Sequence, residues 1–317
     1  MPVLSIIACK MLEDELVHLL SADREVRELL LVDGRECLNL SGKLGAQNRP
    51  HILLGLDKIA LHLKERQSRP GCIFSRRSAP PKASDLVVVV SPLRLGLHSD
   101  LELLKAAVHD NNRRLSAFSD GILIFYGKCG NALADLEHDL SDLSCPLYFL
   151  TDEQGERIDD CIAAALCGNE NYDRALVENQ DVALFMTPMW ASNWKVMGQE
   201  DAASGKRRDL GAMLKGTGMR KVARIDTGLC FEPGFIEKVD GFAREFGLQR
   251  IELQGGTAVA KGSYERAKSC LVAAQPRSAP SCRRTGSLNS APPTPRSPVA
   301  LSDLPHRQHA RLAAQPD

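Results

Sequence analysis

Aromatic side chains are scarce in this 317-residue chain, at 5% of its composition, so the core has to be built from Leu, Ile, Val, Ala and Met. No apolar run approaches the ~18 residues that a membrane span requires. The first residues, Met1 to Lys10, lack the basic lead and extended apolar stretch of a secretory signal. Neither sign of charge is in excess, with 40 Lys and Arg against 40 Asp and Glu. That balance argues against a nucleic-acid binder, which would carry a basic face. The expectation is a cytoplasmic protein with neither nucleic acid nor membrane as partner.

The standard cofactor signatures are missing as well. No GxGxxG opens a helix after the first strand and no GxxxxGK[ST] occurs, so there is no NAD or ATP signature. GxSxG and HExxH are also absent. The ten cysteines form no CxxC pair, which excludes a zinc ribbon and a thioredoxin-type motif. In a long chain without an export signal they are expected to be reduced thiols.

What is present is an alternation of apolar runs with amphipathic segments. Strands are expected at Val3–Ala8, Leu29–Val32, Leu86–Val90, Gly121–Tyr126, Leu147–Leu150, Val182–Met186, Val222–Ile225 and Ile251–Leu253. Helices are expected over Met11–Leu20, Ile52–Leu63, Asp100–Val108, from Ala132, and over Asp159–Leu166 and Ile236–Phe246. The β-branched run Leu86–Val90 reads as a strand covered on both faces. Strand–helix alternation at this spacing predicts an α/β protein with a parallel, Rossmann-like sheet, in two lobes with a cleft. The α/β domain is placed at residues 1–270, with a loop or insertion near 67–82. From Leu271 to Asp317 there are eight of the 17 Pro, six Arg and no Lys, the composition of a disordered tail.

Parallel sheets bind ligands beyond the carboxyl ends of their strands, so the residues after each apolar run carry the information. They are Cys9; Arg94 to His98; Gly127-Lys128-Cys129-Gly130-Asn131; Thr151-Asp152; and Asp226-Thr227-Gly228. Cys161 opens the helix after a further strand, behind Asp159 and Asp160, which read first as helix caps. Glycines on either side of Cys129 would let the backbone approach a ligand closely. A thiol there, near a helix N-terminus, is expected to have a lowered pKa. Cys and His are soft-metal ligands. The candidate metal set is therefore Cys9, His98, Cys129 and Cys161, with Asp160 as a fifth. Candidate cofactor-binding residues are Gly127, Gly130, Asn131, Asp226, Thr227 and Gly228. Thr187-Pro188-Met189-Trp190 with Trp194 reads as an aromatic pair lining a cleft or covering a core edge.

These blocks resemble an uncharacterised prokaryotic family of unknown function found in methanogens and various bacteria. The matching segments are Ala8-Cys9-Lys10-Met11-Leu12, Gly96-Leu97-His98-Ser99, Tyr126 to Asn131, Asp160-Cys161-Ile162, Leu166 to Tyr172, Thr187 to Trp190 and Arg224 to Leu229. Some members resemble gene neighbours of corrinoid-dependent methyltransferases, so the resemblance implies methyl transfer or metallocofactor handling, with a corrinoid protein or methyltransferase as partner. One departure stands out: the family's usual His-Asp-Cys is Asp159-Asp160-Cys161 here.

The leading expectation is a metal- or metallocofactor-binding protein, with zinc, iron or a corrinoid in a cysteine-lined cleft. Three thiolates suit zinc or iron better than magnesium or calcium. Two alternatives stand beside it: a non-catalytic accessory or small-ligand module using the same cleft, and a thiol enzyme centred on Cys129, the best catalytic candidate. In the metal reading Cys9, Cys129 and Cys161 meet at one place, although each is more than 30 residues from the next.

Overall fold

A computed structural model of the chain describes residues 1–68, 86–197 and 218–274. Most of the insertion expected near 67–82, and the tail from residue 275 onward, lie outside the described residues. Strands β1 (Val3–Ala8), β2 (Val26–Val32), β3 (Ile52–Leu54), β4 (Leu86–Pro92), β5 (Gly121–Phe125) and β6 (Leu147–Phe149) form one sheet in the order β3-β2-β4-β1-β5-β6. Every pairing in it is parallel. A second parallel sheet holds β7 (Val182–Met186), β8 (Lys221–Asp226) and β9 (Gln249–Gln254) in that order. The expected parallel α/β architecture is what the chain adopts.

The sequence pattern explains which strands are central. All six residues of β1 are buried, as are the first six of β4, so neither strand alternates polar with apolar. Such continuous runs suit only strands covered on both faces. The helices are α1 (Glu13–Ala22), α2 (Leu38–Ala46), α3 (Leu56–Ser68), α4 (Leu101–Ser116), α5 (Leu136–Asp139), α6 (Cys161–Ala165), α7 (Asn169–Glu178), α8 (Pro188–Met197), α9 (Phe235–Phe246) and α10 (Ala258–Ala274). α4 packs on β1 and β5, while α10 covers β1, β5 and β6 beside α1, which in turn packs on α2.

Two features position the site. The chain leaves β1 toward β2 on one side and leaves β5 toward β6 on the other. The connections therefore diverge between β1 and β5, which opens a ligand crevice at their carboxyl ends. Cys9 sits there, its N–H donating to the Phe125 carbonyl at 3.1 Å. The second feature is α8, which follows β7 of the second sheet yet lies against the turns Lys10–Leu12 and Leu95–Ser99 and against α1. Thr187 starts it, its hydroxyl accepting the Trp190 N–H, with Pro188 as first helical residue. Trp194 packs edge-on against Phe242 of α9 at 5.0 Å between ring centroids.

Several boundaries differ from the expectation. The helix expected over Ile52–Leu63 is β3 followed by α3, because Ile52-Leu53-Leu54 is too short a run for its period to show. The helix expected from Ala132 is confined to α5, after a series of turns. The division at residue 271 falls inside α10, whose Leu271 is 3% exposed. A Cβ on Gly121 would stand 2.9 Å from the Leu271 side chain, so strand and helix touch there directly. Leu271→Ala should therefore cost about 2–4 kcal/mol of unfolding free energy in a urea titration. An unchanged midpoint would show that the end of α10 does not pack on the sheet.

Candidate functional site

The backbone after β5 is bound edge-on to the segment before α6. Lys128 N–H donates to the Ile158 carbonyl at 2.8 Å, and Cys129 N–H to the Asp159 carbonyl at 2.7 Å. A Cβ on Gly127 would lie 2.5 Å from the Asp160 Cα, so only glycine permits this approach. Cys129, Gly130 and Asn131 then take three successive positive φ values of 46°, 64° and 69°. Two of the three are not glycine, and conformations of this kind cost free energy that the surroundings must offset. The Asn169 side chain holds the other strand of the ribbon, accepting the Asp159 N–H and donating to the Arg157 carbonyl, both at 2.9 Å.

This geometry leaves the three named thiols near enough to act on one another electrostatically. Cys9 follows β1, Cys129 follows β5 and Cys161 opens α6; all three are buried, and none forms a disulfide. Burial first, and then the neighbouring Cys129, pushes the Cys9 thiol far above its ordinary range. Burial, Cys161 and Asp160 do the same to Cys129, and burial, Cys9 and Asp160 to Cys161. Each sulfur therefore feels at least one of the others. Two buried aromatics stand beside the thiols: Tyr126 near Cys9, and Trp190 near Cys161, whose pKa it draws back down. The expected lowering of the Cys129 pKa is overturned. No long helix begins at Cys129, and desolvation outweighs whatever the adjoining turns supply.

Next to the thiols lies a buried set of carboxylates that composition and period did not reveal. Glu13, Asp14 and Glu15 form the first turn of α1 and are at most 3% exposed. Lys43 of α2 reaches Glu13 at 2.9 Å, Asp14 at 2.7 Å and Glu232, from the second sheet's connections, at 2.9 Å. Glu232 also accepts from Ser192 at 2.7 Å and Lys238 at 2.9 Å, and this pair of cations and a hydroxyl carries its carboxyl down to about 2 against its own burial. Burial prevails at Glu13 and Asp14, which are raised although both touch Lys43. Glu15 has no ion-pair partner among the described residues, and burial drives its pKa to about 8. Three acidic residues at a helix start read as capping, and only tertiary structure shows that they face inward.

The remaining candidates are distributed as follows. Asp160 caps α6, one oxygen accepting the N–H groups of Ile162 and Ala163 at 2.8 and 2.9 Å, with the Tyr172 hydroxyl also facing it. Asp159 pairs with Lys128 at 2.6 Å. The His98 backbone belongs to the turn Leu95–Ser99, but its side chain lies outside the described residues. Asp226, Thr227 and Gly228 follow β8 in the second sheet, where Asp226 accepts the Gly228 N–H and pairs with Arg224, both at 3.0 Å. Their polar atoms close a local turn. Trp190 faces the thiols, whereas Trp194 packs on Phe242 and Phe246, so the aromatic pair is divided between site and core. Among the described residues no three His, Cys, Asp or Glu side chains stand as placed in metal-holding geometry.

Two outcomes follow from this geometry. Gly127→Ala should cost at least about 2 kcal/mol, since the clash is with backbone that cannot rotate away; chemical denaturation measures it, and a neutral result would contradict the close approach. The second concerns pH. With Glu15 near 8 in the folded protein and 4.5 unfolded, the folded state binds more protons between those values. Stability must then fall as pH rises through that window. Between pH 6 and 8 the loss is about 2–3 kcal/mol, or a fall in melting temperature of roughly 3–5 °C. Glu15→Gln should flatten that part of the profile, and an equal slope in the variant would refute the assignment.

No curated protein and no solved structure matches the chain. A family model does, the one described as a protein of unknown function, DUF1638, and it matches residues 92–263. The matched span holds His98, the Gly127–Asn131 turn, Asp160, Cys161, Trp190 and Asp226, while Cys9, Glu15 and Lys43 precede it. Covering more than half of the 317 residues, the match places this chain in the DUF1638 family.

Proposed function

We propose that the junction of the two sheets is a soft-metal centre, in which Cys9, Cys129 and Cys161 bind zinc, iron or the metal of a larger cofactor. The observation that supports this reading is that three buried thiols from three separate elements each act electrostatically on at least one of the others, with the buried Tyr126 and Trp190 side chains beside two of them. At neutral pH these thiols hold their protons against water, since burial raises all three. A divalent soft cation can displace those protons, and apparent affinities of structural zinc sites reach about 10–16 kcal/mol.

In that centre Cys9 and Cys161 would present sulfurs beside Tyr126 and Trp190, and Cys129 one carried on a left-handed backbone. Side-chain rotation would close the three onto the ion, because they do not stand in metal-holding geometry as placed. A bound zinc would supply Lewis acidity, lowering the pKa of a thiol or water. This chemistry suits methyl transfer to a thiol, and the corrinoid connection rests on the resemblance alone. A thiol enzyme built on Cys129 is disfavoured, because burial keeps that thiol protonated.

Protein purified without added metal, analysed by plasma mass spectrometry, should carry about one zinc or iron per chain, and Cys129→Ser should lower that content severalfold. A content near zero that reconstitution with Zn²⁺ or Fe²⁺ does not raise would overturn the proposal. A ligand-induced rise in melting temperature without metal would instead favour the accessory-module reading.

A further inference from the structure

Among the described residues β9 leaves an edge of the second sheet open. It pairs only with β8 and runs for six residues, four of them exposed. The first sheet ends instead in β3 and β6, each three residues long, and short edge strands are a usual protection against pairing. β7, at the second sheet's other edge, is buried at four of its five positions. The N–H groups of Gln249 and Gly255 donate to the Arg220 and Asp226 carbonyls at 2.8 and 2.9 Å, on the β8 side. Alternation along the strand therefore turns the N–H and C=O groups of Arg250, Glu252 and Gln254 toward the open edge.

Opposite charges stand two residues apart on that edge. Arg250 and Glu252 share one face of β9, 3.0 Å from each other, and Glu252 also pairs with Arg224 of β8. Arg250 reaches Asp240 of α9, which sets that side of the helix beside the same edge. One turn before Asp240 stands Ile236, 46% exposed.

We propose that β9 is a dimer seam, pairing antiparallel with β9 of a second copy about a two-fold axis at Ile251. This register sets Arg250 opposite the other copy's Glu252, and Glu252 opposite its Arg250. Both are outward-facing residues, so each pair exchanges two backbone hydrogen bonds and also opposes its charges. An axis at Arg250 or at Glu252 would put like charges face to face. Glu252 then lies between Arg224 and the other copy's Arg250, extending an ion-pair row already present. Three strands from each copy make one sheet of six, with both copies of α9 and their exposed Ile236 on the same face.

Sedimentation equilibrium of the full chain tests this. Wild type is expected to reach twice the 34.6 kDa of one chain. Arg250→Glu and Glu252→Arg each place like charges across the seam and should weaken self-association roughly 10-fold or more. Mixed in equal amounts, the two variants oppose unlike charges again at both pairs, and the mixed dimer should return to within about threefold of the wild-type Kd. Hydrogen exchange of wild type gives a readout that needs no variant: the Arg250 and Glu252 amides should be protected where the dimer forms and lose that protection on dilution. A wild type that keeps the mass of one chain at the highest concentration reached would overturn the proposal. So would variants that associate as wild type does, a mixture that does not recover, or edge amides that stay unprotected in the dimer.

Discussion

One buried ammonium ties the two sheets together. Lys43 stands between Glu13 and Asp14 at the start of α1 and Glu232 beyond β8, so the first sheet's helices and the second sheet's connections share a single cation. Removing one partner from a buried charge network typically costs 3–5 kcal/mol, because the rest are left uncompensated. The seating of α8 depends on the same network: Met189 sulfur lies 3.2 Å from the Lys43 nitrogen, and Ser192 bonds to Glu232. With α8 so held, Trp190 is buried near Cys161, and the three thiols are buried with it.

The same shortage of positive charge shapes the chemistry. Lys43 already serves three carboxylates, so Glu15 has none to itself and retains its proton near neutrality. Burial likewise keeps the thiols neutral. Desolvation thus argues against a reactive lone cysteine here, whereas the proposed soft cation would displace those protons on binding.

Much of this was legible in the sequence, and the reasons are local. Val3–Ala8 and Val182–Met186 match the observed strands to the residue, because unbroken apolar runs bounded by polar residues have few other readings. The pattern of apolar runs placed Cys9 directly after β1, Cys129 in the turn after β5 and Cys161 at the start of α6. Glu15 and Lys43 were illegible. An acidic first turn satisfies the helix dipole whether it faces solvent or core, and α2, with two glycines and few strong apolar positions, shows no clear face. The helix Ala258–Ala274 was also missed, because its composition blends into the residues that follow it.

The central claim is that sulfur from three distant segments converges on one ion. X-ray absorption at the K-edge of the bound metal reads that most directly, since it counts scatterers by type and distance. Metal-loaded wild-type protein is predicted to show three sulfurs at about 2.3 Å, falling to two in Cys9→Ser and in Cys161→Ser. A shell of nitrogen and oxygen alone, or a sulfur count that neither substitution changes, would contradict the account.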